Sequence, residues 1–317
     1  MKNNKTTYLN PLLLLSCLVF TGLMASVFSQ AEPVRAESIT DQSGAEISFA
    51  KPFTRIISLY PAHTENLFAL GLDQEIIGVS KNDTYPQQTR EKPKFHYRED
   101  PEKFIAALPD LVLVRPMIYR AYPDLISKLN LAGIVVISLQ PTSIAETYSY
   151  WRTLGTLTGR AAQAEELIRH FKIRVAGITE KVATISPETR QKVYFEAIHK
   201  KMKTFSPGSI TVFALETAGG INIAADAEIV RDTNIAYYGK EKILSKSREI
   251  DVFLAQNGKM NRITEEIIKN EPGFKAIKAI ENDTICIVDE AIVSRPTVRL
   301  LEGIETIGRC LYPEVFR

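Results

Sequence analysis

The 317-residue sequence lacks the short motifs that commonly mark an enzyme. It has no phosphate-cradling glycine-rich loop, no Gly-x-Ser-x-Gly elbow, no Cys-x-x-Cys pair and no His-Glu-x-x-His motif. Asp289 and Glu290 form an acidic pair beyond a predicted strand, which acid–base chemistry could use, although such pairs more often face solvent. The sequence therefore favours a binding protein over an enzyme.

Cysteine is also scarce, with three residues in the chain, of which Cys286 and Cys310 lie outside the N-terminal region. In an oxidising compartment these two could pair, and two buried thiols are the alternative. The sequence leaves both open.

A surplus of charge of one sign is absent too. The whole chain has 39 Lys and Arg against 37 Asp and Glu, and the first 31 residues contain two lysines and no acid. Without that segment the charges balance. This excludes an electrostatic argument for a nucleic acid or a membrane surface as the partner.

The N-terminal residues follow the pattern of a secretion signal. Lys2 and Lys5 precede an apolar run, 12–28, and small residues follow, which predicts a cleavable signal peptide over 1–31, with cleavage as late as residue 36. We therefore expect a periplasmic protein. A retained membrane anchor is one alternative. Lipidation at Cys17 is another, but it would cut through the middle of the apolar run.

Near the middle of the chain, no Gly-, Pro- or Ser-rich linker separates the two halves. Instead, apolar residues recur at helical spacing and predict one helix from Arg160 to about Val182, roughly 35 Å long. Their positions are Ala161, Ala164, Leu167, Ile168, Phe171, Val175, Ile178 and Val182. We predict an N-terminal lobe at 32–159, a linking helix at 160–183 and a C-terminal lobe at 184–317, with only small lobe motions.

Each half alternates apolar strands with helices, which is typical of a parallel sheet covered on both faces. The predicted strands are 55–60, 76–79, 110–114 and 134–138, then 192–196, 251–255 and 284–288. The predicted helices include those opening at Pro61, Asp100, Tyr122, Ser206, Ile263 and Thr297. The fold class is therefore α/β, with two parallel-sheet lobes joined by one long rigid helix and a ligand cleft between them.

Ligands of such sheets bind beyond the carboxyl ends of the strands, so the loops there are the candidate site. These loops hold three of the four histidines, several tyrosines and several bases, which suits a bulky, partly apolar anion. We expect the bases to neutralise ligand oxyanions, the tyrosines to stack or hydrogen-bond, and a histidine to fill an open metal position. The candidates are Arg115, Lys201 and Arg295; Tyr60, Tyr85 and Tyr97; and His63, His96 and His199.

Several segments, in order along nearly all of the mature chain, resemble the metal-chelate substrate-binding proteins of ABC importers. This class serves iron–siderophores, haem and cobalamin. The matching segments are Arg55-Ile-Ile-Ser-Leu-Tyr-Pro-Ala-His-Thr-Glu65, Leu67-Phe-Ala-Leu-Gly71, Ile77-Gly-Val79, Tyr85-Pro86, Glu102-Lys-Phe-Ile-Ala-Ala-Leu-Pro-Asp-Leu-Val112, Leu154-Gly-Thr-Leu-Thr-Gly159, Ala218-Gly-Gly-Ile-Asn-Ile223 and Arg295-Pro296.

The resemblance implies two α/β lobes joined by a single long helix, with the chelate bound between them and delivered to a membrane permease. It implies that Tyr60, Tyr85, Phe95, Arg115 and the segment 199–205 line the ligand. It further implies permease docking by one acidic residue on each lobe. Glu102 matches the first, and Glu241 stands near the second, although the 242–250 segment is a residue or two longer than usual.

The bases and tyrosines of the predicted rim favour an anionic ferric chelate of the siderophore or haem type. Cobalamin binders of this class tend to have aromatic, weakly charged pockets, so a corrinoid is the alternative. We expect a monomer with no resident cofactor. Two rivals remain: a receptor for free metal ions that uses the histidines, and an exported enzyme that uses Asp289 and Glu290.

Overall fold

The computed structural model describes residues 37–229 and 233–317. The predicted signal peptide, its cleavage site and Cys17 lie outside the described residues. Within them, no helix is both long and apolar enough to cross a membrane.

The N-terminal lobe is built on a five-stranded sheet whose strands are all parallel, in the order β5-β4-β3-β6-β7. Every residue of β6 is buried because helices cover both faces of the sheet, as its continuous apolar run predicts. The strands are β3 (Ile56–Ser58), β4 (Ile76–Ser80), β5 (Lys94–Phe95), β6 (Leu111–Val114) and β7 (Val135–Ser138), after a β1–β2 hairpin (Glu37–Thr40, Glu46–Phe49). The helices are α1 (Pro61–Ala69), α2 (Pro101–Ala106), α3 (Pro116–Ala121), α4 (Pro123–Leu131) and α5 (Ile144–Thr158).

The linking helix α6 runs over Ala161–Val182, in agreement with the predicted span. Gly159, at φ +67°, ends α5 in the left-handed conformation that favours glycine, so the chain turns back directly into α6. Five predicted stripe residues are buried: Ala164, Ile168, Phe171, Ile178 and Val182. The helix is therefore a packed part of the core and not an isolated rod.

The C-terminal lobe has a mixed sheet of seven strands in the order β11-β12-β9-β8-β13-β14, with β10 also paired to β8. Strands β8, β10, β13 and β14 are parallel, whereas β9, β12 and β11 extend the sheet antiparallel. The strands are β8 (Lys192–Ile198), β9 (Lys203–Phe205), β10 (Ile221–Asn222), β11 (Glu228–Ile229), β12 (Ile235–Tyr237), β13 (Val252–Asn257) and β14 (Ile285–Asp289). The helices are α7 (Ile210–Thr217), α8 (Lys240–Ser245), α9 (Glu265–Asn270), α10 (Lys278–Glu281), α11 (Glu290–Val293) and α12 (Leu300–Leu311).

Two predictions for this lobe need correction. The sheet is not purely parallel, because the chain reverses after β8 through a short turn and returns as β9, which is too short to show a strand pattern. Helix α7 begins at Ile210 and not at Ser206, because the hydroxyl of Ser209 accepts a hydrogen bond from the amide of Val212 and caps the helix there.

The two cysteines left open by the sequence are joined in a disulfide. Cys286 on β14 and Cys310 on α12 have Cα atoms 6.5 Å apart, within the usual range for such a bond. The bond fastens the last helix to the edge strand of the C-terminal sheet.

The main-chain carbonyl of Pro296 is where the two lobes are held together. This C-terminal-lobe oxygen accepts from Asn66 Nδ2 at 2.9 Å and from Trp151 Nε1 at 3.2 Å, both of the N-terminal lobe. All three residues are buried, so each hydrogen bond forms away from competing water.

An ion pair reinforces the same contact. Arg295 lies 2.6 Å from one carboxylate oxygen of Glu65, and Arg299 lies 3.6 Å from the other. Burial raises the pKa of the Glu65 carboxyl, while the two guanidinium groups act in the opposite direction. Removing either arginine would leave the buried carboxylate with less compensating charge. Such a loss of one partner of a buried ion pair strongly destabilises the fold.

Asn66 also connects this junction to the core of the N-terminal lobe. Its Nδ2 group donates to the hydroxyl of Tyr150 at 3.3 Å, and that hydroxyl lies 2.6 Å from Nδ1 of His63. The other ring nitrogen of His63 lies 3.1 Å from the carbonyl of Val114. A carbonyl only accepts, so Nε2 carries the proton and Nδ1 accepts from Tyr150.

His63 should make the protein sensitive to acid. Burial lowers the pKa of His63 from 6.5 to about 4. Above pH 6.5 the imidazole is neutral in the folded and in the unfolded chain. Below pH 6.5 the unfolded chain binds the proton before the folded protein does. We therefore expect the free energy of unfolding to fall between pH 6.5 and pH 4, by on the order of 3 kcal/mol from this residue.

The test compares denaturant unfolding of the wild type and His63→Gln across that pH range. The variant should be less stable at pH 7 but should lose much of the acid-dependent fall. Burial raises the pKa of Asp83 to about 6, which acts in the opposite direction, but both proteins contain Asp83 and its contribution cancels. His170→Gln, on the exposed side of α6, is the control. Parallel pH profiles for wild type and His63→Gln would contradict the assignment.

Candidate functional site

A cleft between the lobes encloses about 270 Å³. The carboxyl ends of strands from both sheets meet there, as expected for open α/β sheets. Its N-terminal wall consists of Leu59, Tyr60, Pro61, Asn82, Tyr97, Arg115, Ile118 and Gln140. Its C-terminal wall consists of Phe205, Thr233, Asn234, Ile235, Lys259, Met260, Glu290, Ser294 and Arg295.

Tyr60 and Arg115 form the floor on the N-terminal side. Tyr60 follows β3 and Arg115 follows the neighbouring β6, so the parallel pairing brings the two together. The guanidinium lies over the tyrosine ring at 4.9 Å from its centroid. Within the described residues no carboxylate lies within ion-pair distance of Arg115, so its charge is available to a ligand.

Burial raises the pKa of Tyr60, although Arg115 and Arg295 lower it. Its phenol is thus a neutral hydrogen-bonding group at physiological pH.

Arg295 reaches the cleft but is not a free cation. Its ion pair with Glu65 neutralises it, and its side chain is only 15% exposed. Arg295 is therefore less able than Arg115 to neutralise a ligand, the role that was predicted for it. Its main contact is the one between the lobes.

Tyr97 lines the cleft, and His96 lies directly behind it. The two rings stack at 4.2 Å, and Nδ1 of His96 accepts from the amide of Arg98. Partial burial, with Lys81 and Arg98 nearby, lowers the pKa of His96. The ring supports Tyr97 and does not line the cavity.

Phe95 and Tyr85 do not line the cleft. Phe95 is 3% exposed and packs with Phe104 in the core of the N-terminal lobe. Tyr85 lies in a separate groove beside the lobe junction, with Arg299 over its ring at 4.1 Å. The family resemblance implied that these two residues line the ligand, but the structure places neither of them in the cleft.

His63 and His199 are buried inside separate lobes. His63 has both nitrogens engaged within the core, which leaves no lone pair for a metal or ligand. His199 bonds Glu196 through Nδ1 at 2.8 Å, and its Nε2 lies 3.4 Å from Glu271. Burial acts to lower the pKa of His199, but the two carboxylates leave it raised.

The predicted histidine cluster is consequently not formed. Across 37–229 and 233–317, no group of three or more His, Cys, Asp or Glu side chains could hold a metal ion. Lys201 is likewise exposed, and neither it nor the rest of the short turn 199–201 lines the cleft.

Glu102 and Glu241 are both exposed. Each lies in the first turn of a short helix, Glu102 in α2 and Glu241 in α8, one on each lobe. Both carboxylates are therefore accessible to a partner, as are other acids of each lobe, and docking through these two residues stays a prediction.

The carboxylates of the acidic pair, Asp289 and Glu290, both accept hydrogen bonds from backbone amides. Asp289 caps α11 by accepting from the amide of Ala291 at 2.8 Å, and Glu290 accepts from the amide of Met260 at 2.9 Å. Both carboxylates therefore have structural partners.

Several cleft residues were missed by sequence reasoning. Met260 and Lys259 follow β13, so the strand-end rule covers them, but neither is a histidine, tyrosine or arginine. Ile235 lies on a short antiparallel strand that no periodic pattern revealed. Phe205 lies on another such strand, but it belongs to the segment 199–205 that the family resemblance implied, and it is the residue of that segment that lines the cleft.

The chain is similar to known proteins over most of its length. The periplasmic binding protein family profile matches residues 56–291. A solved structure from Staphylococcus epidermidis, named a possible iron-binding (periplasmic solute-binding) protein, is 31% identical, has a TM-score of 0.72, and covers 83% of this chain and 100% of that one.

Two curated relatives extend the likeness over most of the chain. An uncharacterized ABC transporter substrate-binding lipoprotein, YvrC of Bacillus subtilis, is 28% identical over 88% of this chain and 87% of its own length. The vitamin B12-binding protein of Vibrio cholerae is 25% identical over 84% of this chain and 92% of its own. These matches confirm the resemblance to ABC-importer binding proteins, and the chain belongs to the periplasmic binding protein family.

Proposed function

We propose that this chain is the extracytoplasmic substrate-binding protein of an ABC importer and that it captures an iron chelate of the siderophore or haem type. The observation that carries the choice of ligand is Arg115, stacked on Tyr60 at the cleft floor and without an ion-pair partner in the part of the chain that the structure describes. A cation with an aromatic face beneath it suits an anionic, partly apolar chelate. The Staphylococcus epidermidis relative, named as a possible iron-binding protein, supports the same choice.

Cobalamin is the second candidate, since the Vibrio cholerae relative is named a vitamin B12-binding protein. A ferric chelate is the better match because an anionic ligand would use the charge of Arg115, whereas a corrinoid places no comparable demand on it. A receptor for free metal ions is less supported, because the described residues form no metal-binding cluster.

We extend the proposal to the oligomeric state, the export and the partner of this protein. We infer a monomer without catalytic activity, exported by an N-terminal signal and delivering its ligand to a membrane permease. The name of the Bacillus subtilis relative contains the word lipoprotein, which supports lipid anchoring at Cys17 as the alternative to a released periplasmic form.

The deciding experiment is an absorption spectrum with metal analysis of the mature protein purified without denaturation. A haem, ferric-siderophore or corrinoid band would identify the ligand class directly. We expect a ferric band with about one iron per chain. A corrinoid band would transfer the assignment to cobalamin, and a colourless protein that is stabilised by bare Zn²⁺ or Ni²⁺ would contradict chelate binding.

Arg115 provides the second test. Arg115→Gln should weaken binding of an anionic ferric chelate by about 10- to 100-fold, because one charge-assisted contact is lost. Titration by quenching of intrinsic fluorescence or by calorimetry measures it. Arg120→Gln, exposed on the same helix, is the matched control and should bind as the wild type does. Equal affinities of all three proteins would remove Arg115 from the site.

Docking provides the third test. Glu102→Gln and Glu241→Gln should leave ligand affinity in solution unchanged, because both side chains are exposed outside the cleft. Import by the cognate permease in proteoliposomes should fall about tenfold or more in the double variant. Glu302→Gln, an exposed acid elsewhere on the C-terminal lobe, is the control. Undiminished import by the double variant would rule out both residues as the docking contacts.

A further inference from the structure

Lys259 is, with Arg115, a cation of the cleft that has no carboxylate partner among residues 37–229 and 233–317. Its ammonium crosses from the C-terminal lobe and donates to the side-chain oxygen of Asn82 on the N-terminal lobe. Among the described residues no Asp or Glu lies within ion-pair distance of it, in contrast to Arg295. Both residues line the cavity, so the contact joins its two walls.

The turn that presents Asn82 is fixed by its own hydrogen bonds. The buried carboxylate of Asp83 accepts from the amide of Ser80 at 2.5 Å, and the hydroxyl of Ser80 accepts from the amide of Asn82 at 3.1 Å. The backbone at Asn82 is therefore held at a constant place on the rim.

The turn that presents Lys259 is fixed in the same way. The amide of Gly258 donates to the carbonyl of Asn261 at 2.9 Å, and Glu290 holds the amide of Met260. The buried Asn261 side chain in turn bonds the amide of His199 and the carboxylate of Glu196. With both turns anchored, the flexible part of the contact is the four-carbon stem of Lys259.

We propose that Lys259 is a gating residue of the cleft: its ammonium bonds Asn82 on the opposite lobe and moves from there to an anionic group of the ligand when the ligand binds. This inference rests on the proposed function and adds the residue that faces Arg115 from the opposite lobe. A neutral amide is a weaker acceptor for an ammonium than a carboxylate or another oxyanion, so the exchange favours the ligand. The ligand is then held between one cation from each lobe.

The test measures equilibrium affinity and stopped-flow association for four probes: haemin and ferric dicitrate as anionic chelates, and ferrichrome and cyanocobalamin as chelates without net negative charge. Lys259→Met removes the ammonium but keeps the stem. Asn82→Ala removes the contact across the cleft but keeps the cation. Lys259→Arg restores the charge, and Lys201→Met, an exposed lysine of the same lobe outside the cleft, is the control. Lys259 and Asn82 are exposed, and a thermal melt verifies that each variant is folded.

We expect Lys259→Met to weaken the anionic probe that the wild type binds by about tenfold or more and to reduce the salt dependence of association. Asn82→Ala should speed association without weakening affinity, Lys259→Arg should recover most of the loss, and Lys201→Met should change nothing. Equal affinities of wild type and Lys259→Met, or identical effects of Lys259→Met and Asn82→Ala, would overturn transfer to the ligand.

Two further outcomes separate this inference from the proposed function. If the wild type binds only the probes without net negative charge, the role of Lys259 toward an anion is wrong while a chelate receptor stands. If the wild type binds none of the four, the proposed function fails and the role of Lys259 fails with it.

Discussion

The most buried polar contact between the two lobes is at one loop, residues 295–297, which the N-terminal lobe holds from two sides. Asn66 and Trp151 both donate to the carbonyl of Pro296, and Glu65 pairs with Arg295. The two hydrogen bonds are buried and the ion pair is partly buried, so water competes little for them, and each lost partner would leave an uncompensated polar group. The linking helix provides a second connection through Arg174, which lies 2.6 Å from Glu305 on the last helix.

This junction explains why conspicuous sequence residues lie away from the cleft. His63, Glu65 and Asn66 come from the first two turns of α1, directly after the strand that places Tyr60 at the cleft floor. The helix sends Tyr60 and Pro61 toward the ligand space, whereas the following residues face the core and the opposite lobe. A short segment therefore serves recognition at its start and lobe attachment immediately afterwards.

The architecture could be predicted because it depends on long periodic signals. The buried stripe of α6 and the continuous apolar strands of the N-terminal sheet reflect burial on one face or on both, and such burial leaves a pattern in the residues themselves. The antiparallel strands β9, β11 and β12 have two or three residues each, which is too short for any period to show.

Site residues could be predicted from their type and position only where a side chain suited to the ligand follows the end of a strand, as at Tyr60, Tyr97 and Arg115. Whether a histidine faces a ligand or a core partner depends on side chains distant in sequence: Tyr150 is 87 residues from His63. Likewise, the neutralisation of Arg295 by Glu65 spans 230 residues, so the loop sequence alone gave no sign of it. Lys259 was missed because a single lysine in a loop is ordinarily a solvated charge.

The fixed junction at Pro296 also bears on how an importer would recognise a loaded receptor. If the lobes keep their spacing, the distance between Glu102 and Glu241 is the same before and after capture, so docking through those two acids cannot report occupancy. The permease would then have to detect the ligand through the surface between the two acids, where the ligand and the rim side chains replace open solvent. In such a receptor, empty and loaded molecules compete for the same permease, and transport depends on the fraction loaded as well as on the total number of receptors.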